Sequence, residues 1–489
     1  MVRGVRAVLR GSAVLDLRAS GAAGRRGPAA APVAGGGRRR RVAAVLPAAV
    51  LLAAACGAPP RPDVVLISLD TVRADHLSVY GYGRPTTPNL ERFAAEGVVF
   101  DRCFTPIPWT VGAHMSLFTA LYPTVHTIAH LEPQAEVPRT LPQALQEAGY
   151  RTGAFVHPIL DAQYGFARGF DHYFRPASDR RAESMTGRAL RWLEEGERGE
   201  NAARPFFLFL HLYDAHHAYA PPPPFDTAFV AAYDADINQV VGAHPYNQDK
   251  RLTAEQLAQA VALYDGEIRY LDHVLGDFFQ RLRDLGVFEG ALVVVLADHG
   301  EGFLEHGLVN HGNSVYEELI RVPLLVRFPG GRPRGQRPGG VVELTDVAPT
   351  VLEAARARAL PAMQGRSLRA LVAGGEAAPE RSAYASGAFA SSLRSRDWKL
   401  IENPPSRFRT IRRALPAEYE LYDLRHDPGE RHNLAAARPQ TVEAMARALR
   451  GLDEQNRRLR QGLRAGRDAS PLPLTDEQRE RLRALGYVE

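Results

Sequence analysis

The sequence predicts an α/β fold, with a mostly parallel central sheet flanked by helices and a smaller C-terminal α+β subdomain. Three observations carry this expectation. Short apolar, β-branched runs recur along the chain, several of them ending in an aspartate. Between them lie stretches whose apolar residues repeat at three- and four-residue spacing, the period of a helix with one buried face. From about Ala385 the pattern changes to short strands followed by an Arg-, Glu- and Leu-rich helix.

Each element has its own signal. The body opens on DVVLISLDTVRADHL, a continuous apolar run that ends at Asp70 and leads into a polar, helix-compatible segment. Runs without polar alternation suit strands covered on both faces. GYRTGAFV, RPFFLFLHLYD, GALVVVLADHG and RVPLLVRFPG repeat the pattern. The long helix is predicted over LTAEQLAQAVALYDGEIRYLDHVLGDFFQRLRDLG, which closes on a glycine stop signal. APPPPF reads as a rigid loop. In the C-terminal part, DWKLIEN and YELYDL read as strands, whereas TAFVAAYDADINQVVGAHPYNQDKR and GAFASSLRSRD read as loops near the substrate. The expected organisation is a leader over 1–56, a catalytic domain over 57–384 and a C-terminal subdomain with a helical tail over 385–489.

Composition narrows the function class. The chain has 489 residues, 45% of them hydrophobic, enough for a large core. Its formal charge of +5 is misleading, because ten Arg against one Asp before Cys56 supply +9 and leave −4 on the remainder. No nucleic-acid footprint survives in the body. RRRRVAAVLPAAVLLAAACG has the order of a secretory signal, with an arginine cluster, a short apolar run and small residues before Cys56. The chain has two cysteines, so with Cys56 in the leader Cys103 stands without a disulfide partner. Cys103 reads as a small buried thiol at a strand end.

The chemistry-bearing residues are Asp70, Asp214 and Asp298, each after a predicted strand, where ligands of open α/β sheets gather. His299 and the histidines His114, His216, His217 and His311 add imidazoles. Carboxylates with one or more imidazoles are the donors a divalent cation takes, although an aspartate at a strand end also caps helices. Thr110, opening the helix of PWTVGAHMSLFT, is open to two readings: an N-cap or a nucleophile.

In order along the chain, LISLDTVRADHLSVYGY, SLFTALYP, PFFLFLHLYDAHHAYAPP, VVVLADHGEGFLEHG, VYEELIRVPLLVRFPG and LYDLRHDPGERHNL resemble the blocks of the sulfatase family, in the alkaline phosphatase superfamily. The resemblance runs from about Pro62 to Leu434. It implies an alkaline-phosphatase-like sheet and one divalent metal held by Asp70, Asp298, His299 and Thr110. His216 matches a histidine that assists the leaving group, and His311 and His114 match positions near the substrate. Thr71 stands where a second aspartate is usual and His299 where Asn or Gln is common. The resulting donor set favours Mn²⁺ or Zn²⁺, with Ca²⁺ or Mg²⁺ possible. The leader resembles a bacterial lipoprotein signal, which implies lipidation at Cys56 and an extracytoplasmic, membrane-anchored protein.

Aligning SLFTALYP puts Thr110 where a formylglycine precursor, Cys or Ser, belongs; Gly112, Ala113 and His114 replace the rest of that modification signal. A cation and a helix N-terminus can activate a threonine hydroxyl instead. The expected activity is hydrolysis of an anionic ester, sulfate by family and phosphate or phosphonate by nucleophile. The alternatives are a phosphoryl-group transferase using the same site, a catalytically silent binding protein, or attack by Ser116. Oligomeric state carries no sequence signal.

Overall fold

Leu69, Leu212 and Ala297 end three adjacent parallel strands in register, so the residues that follow them emerge at one edge of one sheet. The computed structural model describes residues 60–128, 138–196, 204–230, 237–238, 252–373, 381–405 and 417–464. The leader with Cys56, most of the loop before the long helix, and the closing RLRALGYVE lie outside the described residues.

The central sheet has seven strands. In chain order these are β1 (Val64–Leu69), β2 (Val98–Val99), β3 (Arg151–Phe155), β4 (His172–Phe174), β5 (Phe206–Leu212), β6 (Leu292–Ala297) and β7 (Leu324–Arg327). Their spatial order is β2-β7-β6-β1-β5-β3-β4. The pairs β6/β1, β1/β5, β5/β3 and β3/β4 are parallel, as expected. β7 runs antiparallel to β6. The reason is local: the chain between them carries a β-hairpin and one short helical turn, too little for the helical crossover that a parallel return requires. Every residue of β1, β5 and β6 is buried, which is why these strands read as unbroken apolar runs.

Helices cover the sheet. α1 (Pro88–Ala95), α2 (Thr110–Thr119) and α3 (Ala182–Gly196) precede the long α4 (Ala254–Asp284). Thr253 opens α4 with a capping box: Gln256 N–H donates to Thr253 Oγ1 at 3.1 Å and Thr253 N–H donates to Gln256 Oε1 at 2.9 Å. Gly286, at φ 73°, turns the chain after the helix, a conformation only glycine adopts freely.

The C-terminal part forms a four-stranded antiparallel sheet of β8 (Ala383–Ser386), β9 (Ser391–Arg394), β10 (Trp398–Glu402) and β11 (Tyr419–Asp423), followed by the helix α5 (Pro439–Arg464). One expectation is corrected here. The stretch GAFASSLRSRD is not a free loop, because its Ser391–Arg394 is a buried strand paired on both sides. Phe104, Val315, Leu319 and Ile320 pack with Ala385, Ile401 and Tyr422 in one apolar cluster, so this sheet shares its core with the preceding residues.

Leu66 lies fully buried in β1, between β5 and β6. Leu66→Ala is expected to lower the unfolding free energy by about 2–5 kcal/mol. A denaturant titration reads this directly, and a loss below about 1 kcal/mol would contradict the packing described.

Candidate active site

Asp70 and Asp298 are carried onto the same sheet edge by β1 and β6 and are fully buried. Thr71 sits between them in the left-handed region at φ 59°, a strained conformation for a β-branched residue. The structure holds it there by its hydroxyl, which lies 2.7 Å from Asp70 O and 3.0 Å from Ala215 O. In that conformation its backbone N–H reaches Asp298 Oδ1 at 3.3 Å, and His299 N–H donates to the same oxygen at 2.9 Å. Asp298 is thereby oriented from both sides. Thr71 gives its hydroxyl to the backbone, so the position contributes no charge.

Thr110 is the first residue of α2, and Trp109, with extended backbone, is the N-cap. The N-cap reading of Thr110 is therefore corrected. Ala113 N–H already bonds to Trp109 O at 2.8 Å, and the Thr110 hydroxyl is free to face His299 Nε2 at 3.1 Å. His299 donates its Nδ1–H to Gly300 O at 3.0 Å, which orients the ring so that Nε2 faces Thr110. Gly300 is required there: a Cβ would meet Glu318 O at 1.9 Å.

Two imidazoles lie behind this group. His114, one turn after Thr110, donates Nδ1–H to Thr110 O at 2.8 Å and accepts at Nε2 from Ser68 Oγ at 2.9 Å. Both nitrogens are engaged, so His114 braces the start of α2 and has no nitrogen left for a substrate. His211, on β5, donates from Nε2 to Asp70 Oδ2 at 2.7 Å. Sequence reasoning missed it, since a histidine inside FFLFLHL reads as core.

On the open side, His216 donates Nδ1–H to His217 O at 2.7 Å, and its buried Nε2 has no partner among the described residues. His311 is held by Glu301 Oε1 at 3.1 Å, and its ring centroid lies 4.4 Å from that of His299 and 5.0 Å from that of His216. Glu301, also missed, is buried and takes Tyr219 OH at 3.3 Å on its other oxygen. The structure thus brings Asp70, Thr110, His216, Asp298, His299 and His311 together. His217 points away to Asn238 O at 2.9 Å, and Asp214 pairs with Arg181. Ser116 is buried within α2 and accepts from His126 Nε2 at 2.9 Å, because His126 Nδ1 is itself taken by Ile128 N–H at 3.0 Å. That histidine cannot serve as its base, so Ser116 is not a nucleophile. Cys103 is a buried free thiol in a two-residue strand, as expected.

Electrostatics sharpen the picture. Burial pushes the Asp70 carboxyl up to about 7, and burial followed by Asp70 itself raises Asp298. Burial opposes a charged His299, but Asp298 and then Asp70 outweigh it and raise its pKa. Burial lowers His114 and His216 to about 3 and His211 to about 4, so these rings are neutral. The ion-pair partners of Asp70 and Asp298 among the described residues are imidazoles alone. Asp70 Oδ1 and Asp298 Oδ2 are buried without a hydrogen-bond partner, and the donor atoms of Asp70, Asp298 and His299 lie within 4.8 Å of one another. Two orphaned carboxylate oxygens and an imidazole lone pair fit a divalent cation, with the Thr110 hydroxyl beside them. Asp298 also lies in a compact group with His114 and His211, and in a third group, His306, Glu318 and Glu430, His306 uses both nitrogens and Glu430 pairs with Lys399 at 2.7 Å.

What the fold and this centre define together is an ester hydrolase of α/β architecture, with a threonine hydroxyl presented at a helix start. Residues 62–357 match the sulfatase family model, and residues 304–457 match that of the N-sulphoglucosamine sulphohydrolase C-terminal region. The chain belongs to the sulfatase family. An arylsulfatase of Clostridium perfringens is 24% identical over 383 residues, covering 64% of this chain and 78% of that one. The multifunctional alkaline phosphatase superfamily protein PehA of Trinickia caryophylli is 26% identical over 473 residues, covering 77% and 91%. The phosphonate monoester hydrolase of Agrobacterium radiobacter superposes with a TM-score of 0.65 at 21% identity, covering 86% of this chain and 99% of that one.

Without a cation, Asp70 retains its proton up to a pH of about 7, so its burial opposes folding increasingly as pH rises from its ordinary value of 3.8 toward 7. A bound divalent ion removes that penalty. Mn²⁺ at a hundredfold excess over Kd should therefore raise the thermal midpoint, by about 2.7 kcal/mol of added stability at neutral pH. The gain should shrink as pH falls below 7. A midpoint indifferent to Mn²⁺ and chelator at pH 8 would contradict the assignment.

Proposed function

We propose that this protein hydrolyses anionic monoesters through Thr110, with phosphate or phosphonate esters preferred over sulfate. The single observation that carries this is the Thr110 hydroxyl, 3.1 Å from Nε2 of His299 beside two orphaned carboxylate oxygens. Asp70, Asp298, His299 and Thr110 would hold the divalent ion, Mn²⁺ or Zn²⁺ by donor type. Bound there, such an ion would lower the pKa of the hydroxyl and neutralise negative charge on the ester.

The chain's own groups do the rest. α2 presents Oγ1 at its N-terminus, where the first-turn N–H groups and the helix dipole favour developing negative charge. His114 holds the Thr110 carbonyl, and with it the angle of attack. His216 offers a buried Nε2 that is neutral because burial lowers its pKa to about 3. An anionic ester beside it supplies the countercharge that protonation needs, and the imidazolium then donates to the leaving oxygen. A threonine ester has no hemiacetal through which to eliminate its acid group. Water must attack the central atom, which suits phosphorus better than sulfur. The phosphonate monoester hydrolase supports this direction, and the arylsulfatase supports sulfate as the other member of the class.

A panel of aryl phosphates, phosphonates, phosphodiesters and sulfates tests the reading. With Mn²⁺ or Zn²⁺ the phosphorus monoesters should show the highest kcat/KM. Thr110→Ala should lower kcat by about 10³-fold or more while the protein stays folded. Turnover of sulfate alone, or an active Thr110→Ala, would overturn it.

We also propose that the protein is secreted and lipid-anchored through Cys56. The support is the arginine cluster, short apolar run and small residues before that cysteine. Cys56→Ala should release the protein from the membrane fraction, and membrane retention without fatty-acid labelling would contradict it.

A further inference from the structure

Beside His216 lies a cleft of about 320 Å³ whose wall includes His157, Tyr213, Arg180 and Arg181. That volume suits one small ring and its substituents. Three of its rings form a continuous stack that begins at the active site. His216 lies on Tyr213 at 4.2 Å between centroids, and Tyr213 lies on His157 at 3.6 Å and 3°. At the far end Arg180 Nη1 lies 3.1 Å from His157 Nε2, and Arg180 Nη2 donates to Ala177 O at 3.0 Å. The stack is thus a spacer, and its two intervals set the guanidinium beyond His157 apart from the group that faces the leaving oxygen.

Charge bookkeeping singles out that guanidinium. Arg181 is matched on the cleft floor by Glu267 at 3.1 Å and Asp214 at 3.5 Å. Asp179 on the rim takes Ser184 Oγ at 2.7 Å and lies 3.9 Å from Arg188. Arg180 is exposed, and its Nη2 bond goes to a neutral carbonyl; among the described residues it has no carboxylate partner. An arginine anchored on a neutral carbonyl keeps its charge available, the arrangement that recognises a carboxylate or a second acid group.

Resting on the hydrolase reading above, we propose that this cleft is the leaving-group subsite and that Arg180 determines specificity. It selects esters whose leaving alcohol is a single ring bearing an anionic substituent on the side opposite the ester. The chemistry of attack is unchanged. The substituent contributes binding energy equally in ground and transition states, so its effect belongs in KM.

The full chain, loaded with Mn²⁺, is assayed on 4-carboxyphenyl and 4-carbamoylphenyl phosphates, and 4-hydroxybenzoate is titrated calorimetrically as a probe of the cleft alone. Arg180→Ala should raise KM for the carboxylated ester about five- to tenfold, leave kcat unchanged, and leave KM for the carbamoyl ester unchanged. Arg180→Lys should restore part of the loss, and 0.5 M salt should erase part of the wild-type preference, since the group is solvent-exposed, roughly as expected for a screened pair. Binding of 4-hydroxybenzoate should weaken by the same factor. An Arg180→Ala protein that treats both esters alike and binds 4-hydroxybenzoate as tightly as wild type overturns the subsite. If wild type turns over neither ester, the hydrolase reading is what fails, and Arg180-dependent binding of 4-hydroxybenzoate still decides the subsite for or against.

Discussion

Two aspartates buried together at the end of a parallel sheet constrain the rest of the centre. Asp70 and Asp298 arrive there because β1 and β6 are adjacent and in register, and no lysine or arginine among the described residues pairs with either. Like charges in a dry site repel, which is why burial and mutual proximity raise their pKa values. Such a pair is tolerable only when each oxygen has a partner or a cation lies between them. The surroundings satisfy one oxygen of each, Asp70 Oδ2 by His211 and Asp298 Oδ1 by two backbone N–H groups. The remaining oxygen of each is the feature from which the chemistry follows.

The imidazoles then sort by what holds them. Rings whose two nitrogens are both engaged, His114 and His306, are struts. Rings with Nδ1 tied to an oxygen present Nε2 inward: His299 toward Thr110, and His216 toward the open side. Glu301 plays the tying role for His311, as outer-shell carboxylates do for functional histidines generally. This division of labour decides which histidines can act. It also explains how a centre without the modification signal of formylglycine enzymes can still offer a nucleophile.

How much of this was legible in the sequence differs by residue, for physical reasons. Asp70, Asp298 and His299 stood out because a charged residue closing an apolar, β-branched run marks the C-terminal edge of a buried strand. The five longer strands of the central sheet followed from the same runs, but their spatial order and the antiparallel direction of Leu324–Arg327 did not, since both depend on the connections and not on the strands. Thr110 was ambiguous by one residue: an N-cap and an N1 position look alike in sequence, yet only the second frees the hydroxyl. His211 was hidden by its neighbours, because a histidine in an apolar strand is indistinguishable from a satisfied core residue until the adjacent strand is known. Ser391–Arg394 read as a loop because serines favour turns, and tertiary pairing overrode that preference.

The central claim is that the two orphaned carboxylate oxygens exist to share a cation with His299 and Thr110. Anomalous diffraction from crystals grown with Mn²⁺ tests this most directly. The expected result is one strong peak among the side chains of Asp70, Asp298, His299 and Thr110, the residues that would hold the ion. A site empty of anomalous signal at saturating Mn²⁺, or a peak only at the His306, Glu318 and Glu430 group, would contradict it.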